Sequence, residues 1–366
     1  MGAIISFQSV VGFAADLVFP KIFKTVRTRR LVFWAILILA LTAFFLSAST
    51  LKPILAIFIA TMTLWGIYYE LVNFANFQFM GTVVPSQMRA AAWGFTGIFV
   101  NLAYFLGPFI AQELLSHGVL ITQGSIVIFL VVALILLTLS GGRHEAQAAI
   151  DFSSVNPWAE FKHWFTLSRA IWPALAIGLV LGLIDATFYT VGAVWTEKLA
   201  SVNSWGVWFL PLYLLPSICL GIPLSNWNIS NGKKKLAEKF LGLAGIFFIL
   251  MAISPSVPWQ LAIVALASSA LAVCYPLLEG VYTDFLARMG SEKKDLIGLT
   301  GSVINFSYII WPVFAGIIAS KVGERLTFSW MGALVLLVSI ILLFVTPRKL
   351  KLPQSEIKTW DHPPEV

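Results

Sequence analysis

The sequence predicts an all-α, polytopic membrane protein, and three observations predict it. Of the 366 residues, 59% are hydrophobic and 11% are charged, against about 45–50% and about 25% in soluble globular domains. Mean hydropathy is +0.88, with 29 Phe and 14 Trp, so there is too little polar surface to cover the chain in water. The apolar residues run in long continuous blocks and do not alternate with polar ones, which leaves helices as the spanning structure. Soluble enzymes, nucleic-acid-binding modules and disordered chains are excluded together.

A bilayer requires about 20 mostly apolar residues per helix, and eleven blocks meet that length. The first, about 1–20, is followed by Lys21, Lys24 and Arg27 rather than preceded by basic residues, so it reads as a span and not as a secretory signal. Blocks at 31–50 and 54–80 follow, parted by Lys52. The fourth, 90–116, starts after Arg89, and the fifth, 121–140, ends before Arg143. Past a polar stretch come 170–196, 204–224, 237–254, 259–286, 296–320 and 328–346, the eighth entered through Lys233-Lys234-Lys235 and the tenth through Lys293-Lys294. Blocks longer than 25 residues imply tilt or extension beyond the bilayer.

Alternating these spans puts 20 of the 24 Lys and Arg on one side and Lys52, Lys198, Lys321 and Arg325 on the other. That asymmetry places the basic side, with the C-terminus, in the cytoplasm of a cell-membrane protein. The net charge of +7 is therefore a topology signal, and no nucleic-acid partner is expected. The chain then begins outside, and an even-numbered bundle with both ends inside would need one further helix before Met1. Cys219 and Cys274 lie in apolar blocks and read as buried thiols. No metal-spaced cluster, phosphate loop or nucleophile-base order is present, so no enzyme activity, metal or cofactor is expected.

Residues 141–169 form the one long polar stretch between spans and read as a cytoplasmic linker. It separates an N-terminal bundle, 1–140, from a C-terminal bundle, 170–347, with a cytoplasmic tail at 348–366. The halves repeat: GFTGIFVNLAYFLGP at 94–108 aligns with GLTGSVINFSYIIWP at 298–312 at a constant offset of 204, with six identities. These include Asn101/Asn305, Tyr104/Tyr308 and Pro108/Pro312. Both copies cross the membrane in the same direction, a pattern of one large transporter class.

The stretch GFAADLVFPKIFKTVRTRRL resembles the signature of the major facilitator superfamily in the loop after its second helix: Gly12, Asp16, Lys21 and the basic run to Arg30 match in type. The immediate basic residue after the Asp and the second Gly are missing. The equivalent loop of the second half keeps Gly221 and the basic run, with Ser225 where the Asp would be. The resemblance covers the chain as helices 2 to 12 of twelve. It implies a monomeric transporter, with Asp16 and Lys21 gating the inner mouth by charge pairing and Gly12 permitting close helix approach. Gly107-Pro108 resembles the kink motif of the superfamily's proton antiporters, without the glycines that follow it there, and tilts the expectation toward efflux.

Ionised groups at the bilayer centre are expensive and functional by default. Asp185 is the deepest acid, and no Lys or Arg occupies the middle of any span to pair with it. A carboxyl so placed suits proton uptake and release or substrate contact, and a hydrogen bond to another helix is the competing reading. Glu70 and Glu279, one on each half, are the next candidates, with Asn73 one turn from Glu70. Asn101 and Asn305 fit either helix packing or substrate contact. The function expected is secondary transport of a small organic molecule across the lipid bilayer by alternating access, with protons as the coupling ion. A non-transporting sensor or degenerate paralogue is the alternative.

Overall fold

In a computed structural model of the chain, residues 2–23, 26–51, 54–140, 157–224, 226, 229, 231–289, 293–347, 350 and 352 are described. They form helices α1 (Gly2–Ile22), α2 (Thr28–Leu51), α3 (Leu55–Thr82), α4 (Arg89–Ser116), α5 (Val119–Leu139) and α6 (Pro157–Thr187). A π-helical turn, Phe188–Gly192, joins α6 without a break to α7 (Ala193–Val202). Then follow α8 (Phe209–Leu224), α9 (Lys233–Leu250), α10 (Val257–Leu286), α11 (Lys293–Val322) and α12 (Glu324–Val345). With α6 and α7 counted as one rod, these are the eleven segments read from the sequence. Nine stretches among the described residues are long and apolar enough to cross a membrane, as expected of a multi-pass membrane protein.

The expected linker, 141–169, is helical from Pro157 onward, so its second part extends α6; residues 141–156 lie outside the described residues. Trp164 is thereby buried, edge-on to Phe13 of α1 with ring centroids 6.1 Å apart. Cys274 is buried and its Sγ donates to Ala237 O at 3.4 Å, but Cys219 is exposed, contrary to the buried reading. An apolar block facing lipid has the same composition as one facing protein, which is why the sequence did not separate the two thiols.

Tight turns set the antiparallel order. Gly118 precedes α5 with φ 107° and Gly323 precedes α12 with φ 85°, a left-handed backbone that favours glycine. One end of the array collects the Lys- and Arg-rich connections and is called the basic end below. There Arg29 Nη2 donates to Thr138 O at 3.3 Å, tying α2 to the end of α5, and Gln78 Nε2 donates to Val26 O at 3.0 Å, tying α3 to the loop before α2. At the other end Lys198 pairs with Glu324 at 2.7 Å, and Arg325 donates to Ala252 O at 2.8 Å.

The halves α1–α5 and α6–α12 meet along matched pairs, α1 with α11 and α4 with α8, together with α4 and α10. Small residues permit this approach. A Cβ on Gly12 would lie 2.8 Å from the Asn305 amide, and one on Gly301 2.7 Å from Asp16 Oδ1. In the matching pair Gly221 of α8 abuts Ile98 of α4, and Gly280 of α10 abuts Ala90. Gly221, Gly280 and Gly301 sit toward the basic end of their helices and Gly12 midway along α1. Toward the other end, Gly107 and Gly316 meet nothing within 4 Å.

The repeat in sequence is only partly a repeat in burial. Ser307 and Ala315 of α11 are buried, with Ser307 Oγ donating to Leu179 O of α6 at 3.2 Å. Ala103 and Ala111, at the same repeat positions on α4, are exposed. No residue of α5 is buried, whereas α12 buries seven, Phe328 and Val335 among them.

Candidate functional site

Two clusters of polar groups sit inside this apolar array. The first lies where α1, α3 and α11 converge near the basic end. Asp16 is fully buried, placed there by glycines on the opposing helix: Gly298 faces its backbone oxygen and Gly301 its carboxyl. Its Oδ2 accepts from Ser302 Oγ at 3.1 Å and from Asn305 Nδ2 at 3.0 Å. The same Asn305 Nδ2 donates to Glu70 Oε1 at 2.8 Å, while Asn73 Nδ2 donates to Glu70 Oε2 at 3.4 Å. The Asp16 and Glu70 carboxyls accept from the same amide nitrogen, and Asp16 Oδ1 has no hydrogen-bond partner among the described residues. Two acids of the first half thus share one amide of the second, and buried polar groups of this kind are costly to strand.

Asp16 contacts α11 through the neutral donors Ser302 and Asn305, where charge pairing was expected. The Lys21 side chain lies outside the described residues. Asn101, the repeat partner of Asn305, does not join the cluster: its Nδ2 donates back to Gly97 O on its own helix at 2.8 Å. Gly107 and Pro108 are exposed on α4, which stays helical through the proline.

The second cluster surrounds Asp185, one helical turn before the π turn. Tyr213 Oη donates to Asp185 Oδ1, and the Tyr213 ring stacks on Phe188 with centroids 3.8 Å apart and planes 11° apart. Tyr275 Oη donates to Leu181 O, one turn before Asp185, at 3.3 Å. Tyr104 of α4 and Tyr189 of the π turn face each other across the halves, with centroids 6.5 Å apart. On α10, one turn beyond Tyr275, Glu279 Oε2 is buried with no hydrogen-bond partner among the described residues.

The π turn explains how these side chains converge. One extra residue in the turn widens the helix locally, and such turns recur at functional sites. Thr190 Oγ1 takes up Ala186 O at 2.6 Å, and Trp311 Nε1 donates to Thr187 Oγ1 at 2.7 Å, so the turn's polar groups are partly satisfied by side chains. Beyond it a crevice of about 300 Å³ opens between the π turn, α7 and α11, lined by Thr190, Val191, Val194, Gly316 and Glu324. The structure therefore brings Asp16, Glu70, Asn73 and Asn305 together, groups Asp185 and Glu279 with tyrosines, and leaves Asn101, Gly107 and Pro108 apart.

Sequence reasoning missed a third feature at the basic end. Asp284 pairs with Arg89 at 2.9 Å and with Lys233 at 2.7 Å, joining α10 to the starts of α4 and α9. Arg89 also donates to Gly81 O, Val84 O and Thr283 O, and Lys233 to Ser86 O. Although Asp284 lies near a helix end, its partners' side chains, Lys233 and Arg89, are only 3% and 8% exposed.

Solved structures share this arrangement at low identity. The human organic anion transporter MFSD10 (TETRAN) superimposes with a TM-score of 0.72 at 17% identity, covering 93% of this chain and 83% of that one. FucP, a Major Facilitator Superfamily transporter in the outward conformation, gives 0.69 at 13%, covering 95% and 90%. A bacterial homologue of the iron transporter ferroportin in an outward-facing state gives 0.65 at 12%, covering 93% and 87%. The chain has the major facilitator superfamily fold. No protein-family model matches the chain, and no curated relative matches it either. Within this fold the Asp16–Glu70–Asn305 cluster and the Arg89–Asp284 pair each join the first half to the second.

Proposed function

We propose that this chain is a secondary transporter that moves a small organic molecule across the bilayer by alternating access. The observation that carries the reading is the one-sided seam. The halves touch through Asn305, Gly301 and Gly221, while Tyr69, Tyr104 and Tyr189 are 42%, 46% and 40% exposed further along their helices. With the basic end in the cytoplasm, this reading makes the state outward-open. Rocking of the halves would break the Asn305 bridge and close over Asp185.

Protons are the coupling ion in this reading. A proton held between Asp16 and Glu70 satisfies both facing oxygens and favours the sealed state; its loss sets two carboxylates against each other and favours opening. Asp185 and Glu279 are the cargo-side acids. The Gly107-Pro108 resemblance favours efflux as the direction.

Spin-label pairs test the motion in the full chain. Labels at Val83 and Ala287 report the basic end, and labels at Leu115 and Val202 the other end. The expected outcome is reciprocal distance change between pH 5 and 8, one pair lengthening as the other shortens. Fixed distances at both ends would reject alternating access.

A further inference from the structure

We propose that the chamber around Asp185 selects an organic cation, a protonated amine or quaternary group on an apolar body. The inference rests on the transporter reading and adds the chemical class of the cargo.

The chain has 8 Tyr against 29 Phe, and four of the tyrosines meet at or beside Asp185 and the π turn. Tyr213 Oη donates to Asp185, Tyr275 Oη donates to Leu181 O one turn earlier on the same helix, and the Tyr104 and Tyr189 rings face each other with centroids 6.5 Å apart. They come from α4, α8, α10 and the π turn, so both halves contribute walls. Aromatic faces attract cations through the ring quadrupole, most strongly where water is displaced.

The charge inventory points the same way. Asp185 and Glu279 are the acids on the cargo side. No Lys or Arg falls between residues 54 and 88, 170 and 197, 240 and 287 or 295 and 320, the lengths of chain that carry those acids and most of the tyrosines. Among the described residues the cations nearest the seam, Arg89 and Lys233, are held at the basic end by Asp284. A positive charge in the chamber must arrive with the cargo. An anion would face the two cargo-side acids, Asp185 and Glu279, with no cation to meet it, which is selection against the wrong ligand. The tyrosine hydroxyls at Asp185 already occupy its carboxyl, so a neutral polyol would have to displace them.

A pair of ions of the same shape and opposite charge tests this. Purified full-length protein is titrated with labelled tetraphenylphosphonium, with unlabelled tetraphenylphosphonium, tetraphenylborate or sorbitol as competitor. The expected result is saturable binding displaced by the phosphonium and not by equal concentrations of the borate or sorbitol. Asp185→Asn and Tyr104→Ala each weaken it about tenfold, within reach of a lost cation contact, and Asp185→Glu retains it. Thermal unfolding of each variant confirms folding. Absent binding, equal displacement by the borate, or unchanged affinity in Asp185→Asn would overturn the proposal. Charge-selective binding without flux into proteoliposomes would reject the transporter reading and leave this one standing. Flux of an anion or a sugar would do the reverse.

Discussion

Asn305 Nδ2 lies 2.8 Å from Glu70 Oε1 and donates to it across the two halves of the molecule. One amide thereby closes a buried carboxyl pair, since the same nitrogen reaches Asp16 Oδ2 at 3.0 Å. Replacing Asn305 by Ala removes one donor from each of two buried carboxyls, leaving Ser302 to Asp16 and Asn73 to Glu70, and is expected to cost about 1–3 kcal/mol of the sealed state. Hydrogen exchange should rise in α1 and in the first half of α11 and stay unchanged in α9 and α12. Uniform exchange across all four helices would show that Asn305 does not hold the seam.

Glycines on the two sides of the membrane should respond oppositely to the same substitution. A Cβ at Gly301 falls 2.7 Å from Asp16 Oδ1, so Gly301→Ala forces α1 and α11 apart, at about 1–3 kcal/mol. Gly107 has open space, so Gly107→Ala is neutral or stabilises α4 by up to about 1 kcal/mol. Thermal unfolding in detergent separates the two, and a lower melting temperature for Gly107→Ala would contradict the geometry.

Asp284 neutralises two cations that have little access to water. Asp284→Asn leaves Arg89 and Lys233 side by side, and breaking such a buried arrangement costs about 3–5 kcal/mol. Glu324→Gln, whose partner Lys198 is 56% exposed, should cost less than about 1 kcal/mol. Denaturation of both variants at low and high salt checks this: the Asp284 loss should be insensitive to salt. Equal losses for the two would refute the burial argument.

The Tyr213 hydroxyl and ring do separate things. Tyr213→Phe keeps the stack on Phe188 and removes the donor to Asp185. Stability should change by about 1 kcal/mol at most, while tetraphenylphosphonium affinity or flux changes severalfold. A large loss of stability with unchanged binding would make Tyr213 a packing residue only.

The membrane class, the number of rods and the repeat were all legible, because apolar block length and basic connections are one-dimensional signals. Asp185, Glu70 and Glu279 became candidates for the same reason: an acid in an apolar run stands out. What covers Asp16 was not legible, since Ser302 and Asn305 are distant in sequence and ordinary in type. The difference between Asn101 and Asn305 was hidden as well, because the repeat gives both the same local setting and only their neighbours differ. The tyrosines escaped notice one by one, as each is unremarkable within its own helix. The Arg89–Asp284–Lys233 bridge was masked by the expectation that charges near helix ends meet water.

The π turn between Phe188 and Gly192 contains one residue more than an α turn, so α7 is rotated by about 100° from where an unbroken helix would place it. Loss of a single residue there would leave a continuous rod, shorter by about 1.5 Å. Its effect would be to swing Thr190, Val194 and the start of α7 to a different bearing relative to Asp185. The wall of the chamber thus has a setting that one codon deletion can change while the scaffold stays as it is, which gives related chains a short path to a differently shaped site.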